Sequence, residues 1–537
     1  MAYILAYDIG TTGVKTCLFE IDKQIKLIAG ATGGYGLYMV DGGGAEQDQD
    51  EWWSAMCLST KKVMEKTKVD PNSIIGISFC SQMQGLVLVN RSGTPVHRPM
   101  SYMDQRASEE LKKGIAYGPQ IAGANIYKLL VSLKITGAVS SSVKDPMWKY
   151  KWIEAHEPEN FKRAYKWLDV KEYIICRCTG EFVMTEDSAY STLLYDTKKC
   201  EWSKKLCEMF GIQMEHLPKI IKTTNRVGVL RKQQAEELGL QPGIPVYGGG
   251  GDATLIGIGS GCVKIGQTHI YSGTSGWVST IVDHQMVDTS AMIAAIVGAQ
   301  EGKYNYFAEM ETAGKCLEWV KDHLALDEID VYLEKKDITQ NIKTGMEKVY
   351  ASLYEYMTEV VKKAPPGSGG VIFTPWLHGN RCPFEDKNAA GIFFNIGLST
   401  GKTELIRSVL EGICFHMRWM LECQDKKIKT SETIRFCGGG ALSDVTNQML
   451  SDVIGRKIEV VENPQNVGAI GAAATAAVGC GLISSMDCLG DFIPVEKEFY
   501  PNMENKKIYD EVFEVFKNLY ASNRKNFNAI ANSKASQ

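Results

Sequence analysis

The sequence predicts an α/β molecule of two similar lobes facing each other across a central cleft, and three observations lead there. A strand-like apolar run stops twice at a glycine, two hydroxyl residues and a second glycine: Ile9-Gly10-Thr11-Thr12-Gly13 and Ser272-Gly273-Thr274-Ser275-Gly276. The flanks repeat too, since Tyr3 to Phe19 and Thr268 to Val282 both read as apolar strand, tight turn, apolar strand, about half a chain apart. A chain of 537 residues, 44% of them hydrophobic, also exceeds what one core organises. The prolines and glycine of Pro242-Gly243-Ile244-Pro245 mark the break, giving lobes 1–245 and 246–537.

Each hairpin suits an anion, because glycine permits close backbone approach while successive N–H groups and hydroxyls point outward. Two such hairpins facing each other would grip a polyphosphate from both sides. They differ at one place: Asp8 in the first is matched by Tyr271 in the second. One carboxylate helps to hold a hydrated divalent cation on phosphates, and a second would add unneeded negative charge.

Between the hairpins, Asp48 to Trp53 is followed by an apolar strand, Ile74 to Phe79, ending in Cys80-Ser81-Gln82-Met83-Gln84-Gly85. Polar residues at such a strand end line the crevice where α/β folds bind ligands. Next come Asp104-Gln105-Arg106, where the carboxylate either bonds a hydroxyl or pairs with Arg106, and a helix from Ala107. From Pro146 to Arg177 aromatic and charged residues recur at helical spacing, with the tryptophans in the core. The second lobe opens with Val246-Tyr247, four glycines and Asp252, placed as the N-cap of a helix over Ala253 to Gly261. Lys335 to Lys363 reads as a solvated helical face. A strand at Ile434 to Phe436 leads into Gly438-Gly439-Gly440-Ala441 and a helix, Asp444 to Ile454, as at nucleotide sites. Gly468 to Ile483 reads as a buried helix packed closely on a neighbour, and the tail from Ala531 to Gln537 as frayed.

Composition narrows the partners. A formal net charge of -4 provides no basic field for nucleic acid or anionic membrane. The fifteen cysteines contain no CxxC pair and the eight histidines no HExxH, which disfavours structural zinc and zinc hydrolysis. The N-terminus has no basic region or cleavage site, and a cytoplasmic protein with reduced, mostly buried thiols is expected.

Taken in order, Asp8-Ile9-Gly10-Thr11-Thr12, Glu46-Gln47-Asp48 before Trp52-Trp53, Gln82-Met83-Gln84-Gly85, Asp104-Gln105-Arg106-Ala107, Gly251-Asp252, Gly273-Thr274-Ser275, Thr403 to Gly412 and Gly438 to Ala441 resemble the FGGY carbohydrate kinases over nearly the whole chain. The resemblance implies two ribonuclease H-like lobes, as in hexokinase, actin and Hsp70. It implies ATP and Mg²⁺, with Asp252 as catalytic base for a sugar hydroxyl and Asp8 holding the metal through water. Thr11, Thr12, Gly273 and Thr274 would line the phosphates, Gly439, Gly440 and Ala441 would flank the adenosine, and Gln82, Met83, Gln84 and Asp104 would contact sugar. A carboxylate of pKa near ~4 stays ionised at neutral pH and serves as acceptor. Family habit adds a homodimer, and two lobes on a hinge imply cleft closure that excludes water.

The stretch Asp187 to Asp196, with Trp202-Ser203, is similar to xylulose kinases in particular. Gln84 departs from their typical histidine, and Ala253 from the Asn or Gln often found there. A pentulose such as xylulose is therefore the first substrate reading, with erythritol, gluconate or another polyol or sugar acid as the alternative. From a different class, a non-catalytic nucleotide-binding protein of the actin/Hsp70 kind would retain nucleotide binding without sugar-dependent turnover.

Overall fold

A computed structural model describes residues 2–121, 123–325, 358 and 360–535. Up to residue 357, the helical face expected over Lys335 to Lys363 lies outside them. In the first lobe, β1 (Ala2–Ile9), β2 (Gly13–Ile21) and β3 (Ile25–Gly34) form an antiparallel meander, with β4 (Ile74–Ser81) parallel to β1. β5 (Arg226–Val229), β6 (Pro245–Tyr247) and the two-residue β7 (Gly250–Gly251) complete a seven-stranded sheet. In the second lobe the strands are β8 (Thr268–Ser272), β9 (Gly276–Val282), β10 (Val287–Asp288), β11 (Ile293–Val297), β12 (Tyr304–Met310), β13 (Thr433–Cys437), β14 (Lys457–Val461) and β15 (Val495–Phe499). They form an eight-stranded sheet in the order β10-β11-β12-β9-β8-β13-β14-β15.

The duplication extends to register. Asp8 stands opposite Lys15 on β2 and Cys80 on β4, while Tyr271 stands opposite Trp277 on β9 and Cys437 on β13. Asp8 and Tyr271 are thus equivalent positions, and so are two cysteines the sequence had not paired.

β1 is buried on both faces, and its alternation shows against what. Leu5, Tyr7 and Ile9 pack with Trp52, Trp53 and Met56 of α1 (Gln49–Thr67), whereas Ile4 and Ala6 join a core with Leu255, Ala469 and Ala473. That second core is built by two helices that exchange lobes. α5 (Asp252–Gly259) follows the last strand of the first sheet, yet a Cβ on its Gly257 would meet His269 of β8. α8 (Val467–Gly479) follows β14 of the second sheet and lies across β1 and β4. The two helices touch backbone to backbone: a Cβ on Gly259 would meet the Val467 carbonyl at 1.8 Å, and one on Gly471 the Leu255 carbonyl at 2.3 Å. Only glycine fits there, which accounts for the Gly/Ala composition of the run from Gly468.

The remaining helices used below are α2 (Pro146–His156), α3 (Val170–Thr179), α4 (Glu186–Ser191), α6 (Lys402–Asp425), α7 (Asp444–Ile454) and α9 (Met503–Ala535). Trp148, Tyr150, Trp167 and Tyr195 form an aromatic core around α2, as the helical spacing had indicated. α6 and α9 cover the second sheet through Ile406, Val409, Met420, Phe513 and Phe516. The tail expected to fray from Ala531 instead continues as helix to Ala535, an extension of a helix already anchored by Tyr509, Phe513 and Phe516. The fifteen cysteines are free thiols, most of them buried. Among the described residues no helix is long and apolar enough to cross a membrane.

Replacing Gly471 or Gly259 by valine is expected to destabilise the protein by about 2 kcal/mol or more through overpacking at the crossing. Gly397→Ala, where an added Cβ meets nothing within 4 Å, is the control. Urea unfolding followed by tryptophan fluorescence measures the difference, and equal midpoints for the three variants would contradict this account.

Candidate active site

Each hairpin closes on itself and is tied from behind. The Gly10 amide donates to the Gly13 carbonyl at 2.9 Å, and the Gly273 amide to the Ser275 carbonyl at the same distance. The Thr12 carbonyl accepts from the Tyr35 amide (3.0 Å) and the Thr274 carbonyl from the Ala313 amide (3.1 Å), so both turns are fastened by the chain that follows the strand paired with the hairpin's second arm, β3 in one lobe and β12 in the other. The carbonyls are thereby engaged inward, and Thr12 and Thr274 are left exposed at the tips. The Thr11 hydroxyl lies 3.3 Å from that of Tyr102.

The glycine turn after β13 becomes a short 3₁₀ segment, Gly439–Leu442. Gly438 has φ +90°, and a Cβ on Gly440 would meet the Ser272 Oγ at 2.7 Å, whereas one on Gly439 would meet nothing within 4 Å. Gly438 and Gly440 therefore seat the turn against the second hairpin, and Gly439 opens to free space. Ala441 is buried, its carbonyl taken by Asn447 Nδ2.

Asp8 is half-buried, with Lys15 Nζ 3.9 Å away. Burial pushes its carboxyl up, and Lys15 and a Cys80 hydrogen bond pull it back. Asp252 is the first residue of α5, with Gly251 in the cap position that the sequence had given to the aspartate. Its Oδ1 accepts from the Ala253 amide at 2.8 Å. Burial pushes the Asp252 carboxyl up to about 7, opposed by that amide and reinforced by the charges of Asp8 and Glu309. The expectation of an ordinary carboxyl near ~4 is corrected: desolvation among like charges keeps a proton on it longer.

The loop that carries Asp252 is held by Asp187, a fully buried residue of α4. One Asp187 oxygen accepts from the Gly251 amide (2.7 Å) and the Thr254 hydroxyl (2.7 Å), and the other from the Thr185 hydroxyl. Below it, Lys171 of α3 pairs with Glu172 and donates to the hydroxyls of Thr185 (2.7 Å) and Ser188 (2.6 Å). These residues are buried, and each charge has at least one polar partner, the condition under which buried ions are tolerated.

Opposite lies the loop after β4. Gln82 donates to Gln47 Oε1 (2.8 Å), and Gln47 to the Thr11 carbonyl (2.6 Å), so this strand end is bonded to the first hairpin. Met83 packs on Gly251, where a Cβ would meet its sulfur at 2.1 Å. Gln84 has φ +63°, and its carbonyl accepts from Lys149 Nζ at 2.8 Å. Asp104, expected at the sugar, lies in the interior. It is fully buried and accepts from the Ala45 amide (2.8 Å) and from Arg106 Nη2 (2.8 Å), whose Nη1 also reaches Glu46. Of the two readings open in the sequence, the intrachain ion pair is the one formed.

Several residues here had drawn no attention in the sequence. Lys149 of α2 is wholly buried under the Gln84 loop, also donating to the Ser101 carbonyl (2.7 Å). Burial lowers its pKa to about 8 against the pull of Asp104, Asp169 and Asp145. Asp169 accepts from the Gly85 amide at 3.0 Å. From the second lobe Arg381 pairs with Glu309 and Glu311, each at 2.7 Å. A lysine amid Met147, Trp148 and Tyr150 was the one sequence signal for Lys149, because a charge on an apolar helical face implies an internal partner.

The donor set bears on metal as well. Among the described residues no group of three or more His, Cys, Asp or Glu could hold an ion. A single hard carboxylate such as Asp8, beside a cradle for phosphates, matches the way Mg²⁺ is bound, with water and phosphate oxygens filling most positions.

The comparisons agree with this geometry. Residues 3–259 match the N-terminal domain, and residues 269–480 the C-terminal domain, of the FGGY family of carbohydrate kinases. The chain is 26% identical to a xylulose kinase of Bacillus subtilis over 97% of both chains, and 27% identical to a gluconokinase of Bacillus licheniformis over 99% of this chain and 98% of that one. Its fold is similar to that of a xylulose kinase from Lactobacillus acidophilus (TM-score 0.83, 25% identity, 99% of this chain and 100% of that one). It is equally similar to a gluconate kinase from the same organism (TM-score 0.82, 25% identity, 98% and 99%). Likeness alone thus does not select the acceptor. The two hairpins, the exchanged helices and both family domains make this chain an ATP-dependent sugar kinase that belongs to the FGGY family of carbohydrate kinases.

Proposed function

We propose that the protein transfers the γ-phosphate of ATP to a hydroxyl of a neutral polyhydroxy sugar, a pentulose such as xylulose first among them, with Asp252 as general base. The observation that carries this is the placement of Asp252, half-buried at the start of α5 between the Met83 loop and the two hairpins, with its pKa raised to about 7. A base poised near the working pH combines availability with proton affinity. Asp252 would accept the proton of the attacking hydroxyl while the loop held by Asp187 fixes its direction.

The remaining roles follow from position. Thr11, Thr12, Gly273 and Thr274 present hydroxyls and backbone to the phosphates, and Gly439, Gly440 and Ala441 border the adenosine. Gln82, Met83 and Gln84 form the sugar side, and Asp104 is left out as a supporting residue. Bound Mg²⁺, held through water by Asp8, would neutralise charge on the phosphates. Alignment and charge stabilisation are what phosphoryl transfer asks of a protein.

The electrostatics favour a neutral acceptor over a sugar acid. Asp8, Asp169 and Glu309 all act on Asp252, and among the described residues the cations nearby are engaged. Arg381 is held by two glutamates, and Lys149 is spent on two carbonyls. A carboxylate substrate would enter an acidic site without a free counter-charge.

Asp252→Asn is expected to lower kcat by about two to four orders of magnitude while ADP affinity, read by calorimetry, is retained. Turnover equal to wild type would overturn the base assignment. In the wild type, kcat/KM should rise with pH through about 7 and then level off, since the active form is the deprotonated one, and a profile flat across that range would contradict it. A coupled ADP assay over ketoses, polyols and aldonates tests the acceptor: gluconate turned over faster than every neutral sugar would reverse the electrostatic argument. Asp187→Ala should cost about 2 kcal/mol of stability, from the loss of its three hydrogen bonds, and lower kcat more than it alters sugar KM.

A further inference from the structure

A cavity of about 460 Å³ opens in the first lobe, and none of its lining residues belongs to the cleft described above. Its size is that of a small-molecule site. Three guanidinium groups line it: Arg91, in the loop after a short strand Val87–Val89; Arg177, in the last turn of α3; and Arg231, just before a short helix Lys232–Leu238. One carboxylate, Asp50, lines the same space, and Arg177 Nη1 takes it at 2.7 Å.

The other two arginines have no such partner. Arg91 lies over the Tyr165 ring, 4.6 Å from its centroid, and Arg231 donates to the Arg177 carbonyl at 2.7 Å. Among the described residues neither is ion-paired with a carboxylate. The floor is closed by Tyr173 and Cys176, both buried, while the hydroxyls of Ser92 and Thr94 stand at the rim.

A concave space with two unneutralised guanidinium forks and an apolar floor has the donors that recognise phosphate, since planar forks bind phosphate oxygens in pairs. Like charges brought together at one cavity repel until an anion lies between them. We propose that this cavity binds a phosphorylated small molecule, separately from the catalytic cleft.

The cavity also has a structural connection to the site. α3 supplies Tyr173, Cys176 and Arg177 to the cavity, and its opening turn supplies Lys171 and Glu172 to the network beneath the Asp252 loop. The two sites are therefore opposite ends of one ten-residue helix.

The test is a calorimetric titration of the full-length enzyme, already saturated with ADP, with pyrophosphate and in parallel with glucose 6-phosphate. Wild type is compared with Arg91→Ala/Arg231→Ala, two exposed side chains outside the catalytic machinery. One saturable event is expected in wild type for at least one probe, weakened about tenfold or more in the double variant by loss of charge-assisted bonds, with ADP affinity the same in both. Tighter binding of pyrophosphate would define the site as one for bare polyphosphate, and tighter binding of the sugar phosphate as one for phosphate esters. Absence of saturable binding of either probe to wild type, or equal affinity in the double variant, would overturn the proposal.

Discussion

The contact on which the rest of the structure depends is the crossing of α5 and α8, made through Gly259 and Gly471. Each helix leaves the sheet that precedes it and covers the other, so one contact fixes the mutual position of both sheets and of the hairpins at their ends. The acids follow from it. Asp252 begins α5, and Asp8 abuts α8, where a Cβ on Gly468 would meet its Oδ2 at 2.9 Å. Substituting any of these glycines would displace a carboxylate as well as a helix.

Around that frame the chain gathers negative charge that elementary electrostatics would disperse. Asp8, Asp169 and Glu309 lie near enough to raise the pKa of Asp252, with Arg381 and Lys149 holding the surroundings together. Such an arrangement is costly when empty, and the proposed metal–phosphate complex would offset that cost, because the ion's charge would then be the largest in the site. Rigidity is supplied from below by buried, hydrogen-bonded groups: Lys171, Glu172, Thr185, Asp187 and Ser188 under Asp252, and Lys149 and Asp169 under the Gln84 loop.

Much of this could be read from the sequence, and the reasons differ by element. The hairpins were legible because glycine and hydroxyl residues at a strand end are local signals, and their repetition revealed two lobes. The Gly/Ala run was legible as a tightly packed helix, but its destination on the other lobe's sheet was not, since periodicity says which face is apolar and nothing of what covers it. Asp252 was singled out, but its raised pKa was not legible, because burial in the fold and the charges of residues distant in sequence such as Glu309 set it. Asp104 was open between two readings, and only the position of Arg106 against Glu46 decides between them. Lys149 and Asp187 act through buried contacts made 65 and 64 residues away along the chain, beyond any local pattern.

The exchange of helices also has a consequence during synthesis. When the first lobe leaves the ribosome, the face of its sheet carrying Ile4, Ala6, Cys17 and Phe19 has no cover, because the helix that buries it is encoded by residues 467–479. That apolar face stays open until nearly the whole polypeptide has been made, so the nascent chain is exposed to aggregation for most of its translation. A fragment ending at the lobe boundary would carry the same bare face permanently.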